Sequence, residues 1–122
     1  MALRYVLDEN LRGPFWAAVR RVNARRALPL EIVCVGEETE LPLGMSDPEV
    51  LLWAEQHGFV LISNDARTMP GHFAVHLDGG HHSPGVFLIA LPASIPEIVE
   101  ALFYYADASD DDIWRDQILF IP

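Results

Sequence analysis

The chain has 122 residues, about half of them apolar, which is enough for one domain with a substantial core and excludes a disordered tail. Its formal net charge of −10, from 18 acidic and 8 basic residues, disfavours a loose binder of polyanions. No apolar run is long enough to span a bilayer and no signal-peptide pattern opens the sequence, so we expect a soluble, cytoplasmic protein with no membrane partner. The single cysteine, Cys34, fits a buried thiol in a reducing compartment.

The first third of the chain predicts a strand, a helix and a second strand. Residues 4–7 (RYVL) predict a short strand that ends at the acidic turn of residues 8–10. Apolar residues then recur at helical spacing from residue 11 to about residue 25, with arginines on the opposite side. Residues 30–35 are apolar and partly β-branched, as in a strand, and a loop rich in Glu, Pro and Gly follows.

The rest of the chain continues this alternation. A capping box at Ser46 with Pro48 in the first turn predicts a helix that ends near Gly58, and residues 59–62 follow as a third strand. Residues 68–80, interrupted by Pro70 and Gly71, predict a short, weak helix or a loop. A strand at residues 85–91, a capped helix from residue 94 to about residue 106 and a strand at residues 117–121 complete the pattern.

Nearly all-apolar strands that alternate with helices indicate a parallel sheet covered on both faces. We therefore predict one domain over residues 1–122, an α/β fold in which a mostly parallel sheet of about five strands forms the middle layer of an α/β/α sandwich.

Three acids are placed where such a sheet binds ligands. Asp8 follows the first strand, Asp65 follows the third, and Asp47 starts the helix that leads into the third strand. Residues just beyond the carboxyl ends of parallel strands converge on one crevice. Carboxylates that lie so near one another raise one another's pKa unless a divalent cation neutralises them. Mg²⁺ or Mn²⁺ held by such carboxylates can activate water for phosphodiester cleavage. We predict Asp8, Asp47 and Asp65 as metal-binding and catalytic residues, although each also fits a helix cap or a turn.

Three blocks of sequence resemble PIN-like domains, in particular a small bacterial subgroup with an LDENL-type opening. They are YVLDENL at residues 5–11, SDPEVLLWAEQHGFVLISNDARTM at residues 46–69 and HSPGVFLI at residues 82–89. The resemblance implies a three-layer α/β/α fold and, in active members, Mg²⁺- or Mn²⁺-dependent ribonuclease activity on single-stranded RNA. Many such members are toxins paired with an antitoxin protein.

The resemblance also assigns residues. By position, Asp8, Asp47 and Asp65 match the metal-binding acids, and Ser63 matches the Ser or Thr that supports the last of them. The nearby acids Glu9 and Glu49 are second-choice ligands.

Arg67 departs from the family pattern, because many PIN nucleases have another acid at that position. Arg67 could neutralise Asp65 or Asp8, which would give a catalytically silent PIN-like module for protein interaction or RNA binding. It could instead hold a substrate phosphate. Arg12, one of six arginines in the first 26 residues, is the other predicted phosphate contact.

Four histidines form a separate feature, and the sequence favours surface-loop positions for them. On a helix, His72 and His76 would share a face as paired zinc ligands do, which keeps a zinc-dependent hydrolase as a third hypothesis; His81 and His82 follow closely. The aromatic residues at 103–105 allow a homodimer contact, but core packing explains them equally well.

Overall fold

The computed structural model describes residues 2–122, which form one five-stranded sheet and four α-helices. The strands are β1 (Tyr5–Leu7), β2 (Ile32–Cys34), β3 (Val60–Ser63), β4 (Val86–Ile89) and β5 (Ile118–Ile121). The helices are α1 (Pro14–Ala24), α2 (Asp47–His57), α3 (Met69–Asp78) and α4 (Ile95–Ala108), and a short 3-10 turn (Glu9–Leu11) follows β1. Each predicted strand is present within two residues of its expected ends.

All neighbouring strands are parallel, in the order β2-β1-β3-β4-β5. The chain passes from β1 to one side of the sheet and then returns to place β3 on the other side. The order therefore reverses between β1 and β3. The crevice beyond the carboxyl ends of these two strands is where open α/β sheets bind ligands.

The two faces of the sheet carry separate apolar layers, which confirms the predicted three-layer α/β/α sandwich. Tyr5 and Leu7 of β1 point into the layer covered by α1 and α4, whereas Val6 points into the layer covered by α2 and α3. This alternation follows from the two-residue period of a strand. All three β1 side chains are fully buried.

Local sequence sets the helix ends as expected. The capping boxes at Ser46–Glu49 and Ser94–Glu97 both form, and Gly58 ends α2 with a φ of 77°. No helix within residues 2–122 is long and apolar enough to cross a membrane.

For the segment after β3, the sequence left a short, weak helix and a loop as alternatives, and the structure has the helix. It is the full helix α3, because Pro70 lies in the first turn, where the backbone N–H has no intrahelical partner. Met69, Phe73 and His76 recur at helical spacing and are buried against the neighbouring layer. The preferred placement of the histidines in a surface loop is thus wrong for His72 and His76, which lie on α3, and His76 is buried.

Candidate active site

Asp8 lies directly after β1 at the crevice between β1 and β3. Its backbone N–H donates to the Ile62 carbonyl at 2.9 Å and so extends the pairing of the two strands. One carboxylate oxygen accepts from the Glu9 N–H at 2.8 Å, and the other accepts from the Ser63 hydroxyl at 3.1 Å. The residue is only 7% exposed, so its carboxylate is held in one orientation inside the crevice.

The surroundings of Asp8 disfavour its charged form. Burial raises the pKa of Asp8, and the negative charge of Asp47 raises it further. The hydrogen bonds from Glu9 and Ser63 oppose this rise without cancelling it. The charge of Asp47 therefore acts on the Asp8 carboxylate.

Asp47 reaches this edge because the loop before α2 folds back onto the turn after β1. The Glu9 carboxylate accepts from the Gly44 N–H at 2.6 Å and fixes the loop there, so one of its oxygens is occupied. Ser46 is the N-cap of α2, so the Asp47 carboxylate in the first helical turn is not the group that caps this helix. The Asp47 Oδ2 instead lies 3.6 Å from the Nε2 of His72 on α3.

Asp65 is arranged differently from the other two acids. Its Oδ1 accepts from the N–H groups of Arg67 and Thr68 at 3.2 and 3.0 Å, and its Oδ2 accepts from the Thr68 hydroxyl. These bonds, chiefly those from Thr68, hold the pKa of Asp65 below its ordinary value. The pKa of Asp65 is thus shifted in the direction opposite to that of Asp8.

Ser63 provides the link between Asp8 and Asp65. Its buried hydroxyl donates to Asp8 and accepts from the Asp65 N–H at 3.1 Å. Within residues 2–122, however, the carboxylates of Asp8, Asp47 and Asp65 do not form a group whose ligand atoms all lie within 4.8 Å of one another. Asp65 instead uses both carboxylate oxygens to cap the turn that precedes α3.

The two arginines singled out in the sequence are both exposed. Arg12 lies 3.4 Å from Glu37, whereas Arg67 makes no ion pair within 4.0 Å of any acid in the part of the chain that the structure describes. The Arg67 charge is the smallest of the influences that lower the pKa of Asp65. Its guanidinium is therefore not inserted between the acids. Glu49, a second-choice ligand, is engaged in the Ser46 capping box.

His72 is the residue of this site that sequence reasoning missed. It lies at the start of α3, the helix that begins at the same sheet edge as Asp65, and its imidazole faces Asp47. The sequence feature that could have indicated this position is the helical spacing of Met69, Phe73 and His76. It predicts a helix in which His72 lies one residue before the buried Phe73.

Comparison of the chain with models of protein families, with curated proteins and with solved structures gave no match.

Proposed function

We propose that this protein is a PIN-like, Mg²⁺- or Mn²⁺-dependent ribonuclease that cleaves single-stranded RNA. The observation that carries the proposal is the buried carboxylate of Asp8, held by Ser63 and Glu9 at the crevice where the strand order reverses and exposed to the charge of Asp47. Burial raises the pKa of Asp8 and the charge of Asp47 raises it further, and a bound cation relieves both effects.

The donor atoms suit a hard divalent cation. Mg²⁺ is usually held by one or two carboxylates, with water and substrate phosphates completing its shell. Asp8 accepts one protein hydrogen bond on each oxygen, so lone pairs remain, and Asp47 has no capping bond to give up. When bound, the cation would supply Lewis-acid activation of water and neutralise charge that develops on the phosphate.

The surrounding residues have separable roles in this proposal. Ser63 orients Asp8, and the Asp65 cap fixes the turn that carries Arg67 at the rim of the crevice. Arg67, exposed and without an acidic partner in residues 2–122, can hold a substrate phosphate. His72, oriented beside Asp47, is placed to transfer a proton to or from the reacting oxygens.

The biological setting follows from the resemblance alone. We extend the proposal to the toxin of a toxin–antitoxin pair, with an antitoxin protein as its partner. The net charge of −10 predicts weak RNA binding until a divalent cation is present.

The test is cleavage of a fluorescent single-stranded RNA as Mn²⁺ is titrated into metal-free protein. We expect Asp8→Asn and Asp47→Asn to reduce cleavage at least about 100-fold, the scale on which loss of a principal electrostatic group acts. Asp78→Asn, which removes an exposed acid at the far end of α3, is the matched control and should cleave like the parent. Equal cleavage by the Asp8→Asn variant and the parent would sink the proposal.

Variants of the rim separate substrate binding from chemistry. Arg67→Ala should raise KM and leave kcat nearly unchanged, because it removes a contact to the phosphate rather than to the metal. His72→Gln should lower kcat and remove one limb of its pH profile. A loss of kcat in Arg67→Ala with an unaltered KM contradicts the assigned role.

One observation favours a second candidate, a catalytically silent PIN-like module that binds RNA or a protein. Both oxygens of Asp65 are occupied by its own turn, so only two acids face the crevice. In this case RNA binds without being cut at any Mn²⁺ concentration. The same titration, read by fluorescence anisotropy as well as by cleavage, distinguishes the two functions.

A further inference from the structure

A second cluster of metal-ligating side chains lies at the opposite edge of the sheet. Glu55 is near the end of α2, which leads into the start of β3, and His76 and His81 belong to the end of α3 and the loop that leads to β4. The Glu55 Oε1 is 3.0 Å from the His81 Nδ1 and 3.4 Å from the His76 Nε2. Within residues 2–122, these are the three His, Cys, Asp or Glu side chains whose possible ligand atoms all lie within 4.8 Å of one another.

The cluster is built into the fold rather than spread over its surface. The His76 side chain is only 4% exposed, and its ring stacks on that of His81 with 4.9 Å between centroids. The other oxygen of Glu55 accepts from the His82 N–H at 2.8 Å, which fixes the carboxylate in place. This bond is the main reason that the pKa of Glu55 is lowered, so Glu55 is negatively charged at neutral pH.

The distances suit a small tetrahedral ion. Zinc binds imidazole nitrogen and carboxylate oxygen at about 2.0–2.2 Å, so neighbouring ligands of a tetrahedral site are about 3.3–3.5 Å apart. The observed oxygen–nitrogen separations of 3.0 and 3.4 Å are near this range. The mixed nitrogen and oxygen donors also distinguish this cluster from the all-carboxylate pair of Asp8 and Asp47, because imidazole favours zinc and other transition metals.

One hydrogen bond competes with metal binding. The His76 Nε2 lies 2.8 Å from the His82 carbonyl oxygen, so its proton is donated there when no ion is bound. Metal binding exchanges this bond for a bond between nitrogen and metal. His81 is exposed in the loop after α3, and its ring can turn toward the ion.

We propose that Glu55, His76 and His81 form a site for Zn²⁺ or a similar transition-metal ion, separate from the Asp8–Asp47 site. The site joins α2, α3 and the loop before β4 through three protein ligands, and its fourth position is left for water. Because the unfolded chain does not hold the three ligands together, the bound ion stabilises the fold.

The test uses the full chain freed of metal with a chelator and then titrated with Zn²⁺ in a calorimeter. We expect one ion per chain, an increase in the thermal unfolding midpoint on binding, and a four-coordinate visible spectrum when Co²⁺ replaces Zn²⁺. His81→Ala should weaken binding at least about tenfold, because even the loss of a group that supports a ligand costs that much. His81 is exposed, so this variant should fold, whereas substitution of the buried His76 risks the structure itself.

Two controls make the result specific. His57→Ala removes an exposed histidine that lies on α2, outside the cluster, and this variant should bind Zn²⁺ like the parent. Asp8→Asn should also leave Zn²⁺ binding unchanged, which keeps this inference separate from the ribonuclease proposal. The inference is overturned if the parent binds no stoichiometric Zn²⁺ at micromolar concentration, or if His81→Ala and Glu55→Gln bind it as tightly as the parent.

Discussion

The charge on Asp8 should make the protein less stable as pH rises through the weakly acidic range, and Asp8→Asn should remove this dependence. The folded-state pKa of Asp8 is raised by burial and by Asp47 above its unfolded value of about 3.9. Between these two pKa values the folded state holds a proton that the unfolded state has released. The free energy of unfolding therefore falls as pH rises, and the stability that Asp8 contributes is fully present only below the unfolded pKa.

The size of this effect has an upper limit. One group with a raised folded pKa changes the free energy of unfolding by at most about 1.4 kcal/mol per pH unit between its two pKa values. The substitution also affects hydrogen bonding, because Asn can still accept from Glu9 but presents an NH₂ group to Ser63. This change of hydrogen bond costs about 1 kcal/mol at every pH. The charge on Asp8 is therefore reported by the slope of the difference in unfolding free energy against pH, and not by its constant offset.

The assay is urea unfolding of metal-free parent and Asp8→Asn protein at a series of pH values from about 4 to about 7. Subtracting the two curves cancels the carboxylates that they share. We expect the parent to lose stability relative to the variant as pH rises, and Mn²⁺ at 100 times its Kd to restore about 2.7 kcal/mol to the parent alone. The account of Asp8 as a buried charge that needs a cation would be refuted by a difference in unfolding free energy that does not change with pH. It would equally be refuted if the parent became more stable than Asp8→Asn as pH rises.

Three further predictions concern the scaffold. Ser46→Ala and Ser94→Ala should each lower the free energy of unfolding by about 1 kcal/mol, because each removes the hydroxyl of a formed capping box; urea midpoints unchanged from the parent contradict this. Leu61→Ala, at a fully buried position of β3, should cost about 2–5 kcal/mol in the same measurement, and a loss below about 1 kcal/mol would mean that the core collapses around the cavity. Cys34, whose pKa is raised to about 12 mainly by burial, should react with a disulfide reagent far more slowly in the folded protein than in urea, and equal rates would show an accessible thiol.

The fold was predictable because its signals are local. Capping boxes at Ser46 and Ser94, a glycine that ends α2 and apolar strands of parallel-sheet type each act within a few residues, and together they predict the α/β/α layers. The helix α3 was underestimated because Pro70 was read as an interruption, whereas in the first turn it has no hydrogen bond to break.

The site was predictable only in part, because its contacts join distant segments. Topology alone brings Asp8 near Ser63, since β1 and β3 are adjacent. The sequence allowed Asp65 either to cap its own turn or to face the crevice, and the choice between the two depends on a side-chain rotamer. The contact of His72 with Asp47 required knowing that α2 and α3 pack together on one face.

The strand order also bears on how the chain assembles during synthesis. Residue 5 pairs with residue 32 on one side and with residue 60 on the other, so the second loop to be closed is about twice as long as the first. Doubling a loop adds only about 0.6 kcal/mol of closure entropy, so distance itself barely penalises the β1–β3 pair. The larger consequence is timing. A ribosome delivers β1 well before β3, and the apolar strand that will occupy the middle of the sheet must wait, with one edge unpaired, until residue 63 has emerged.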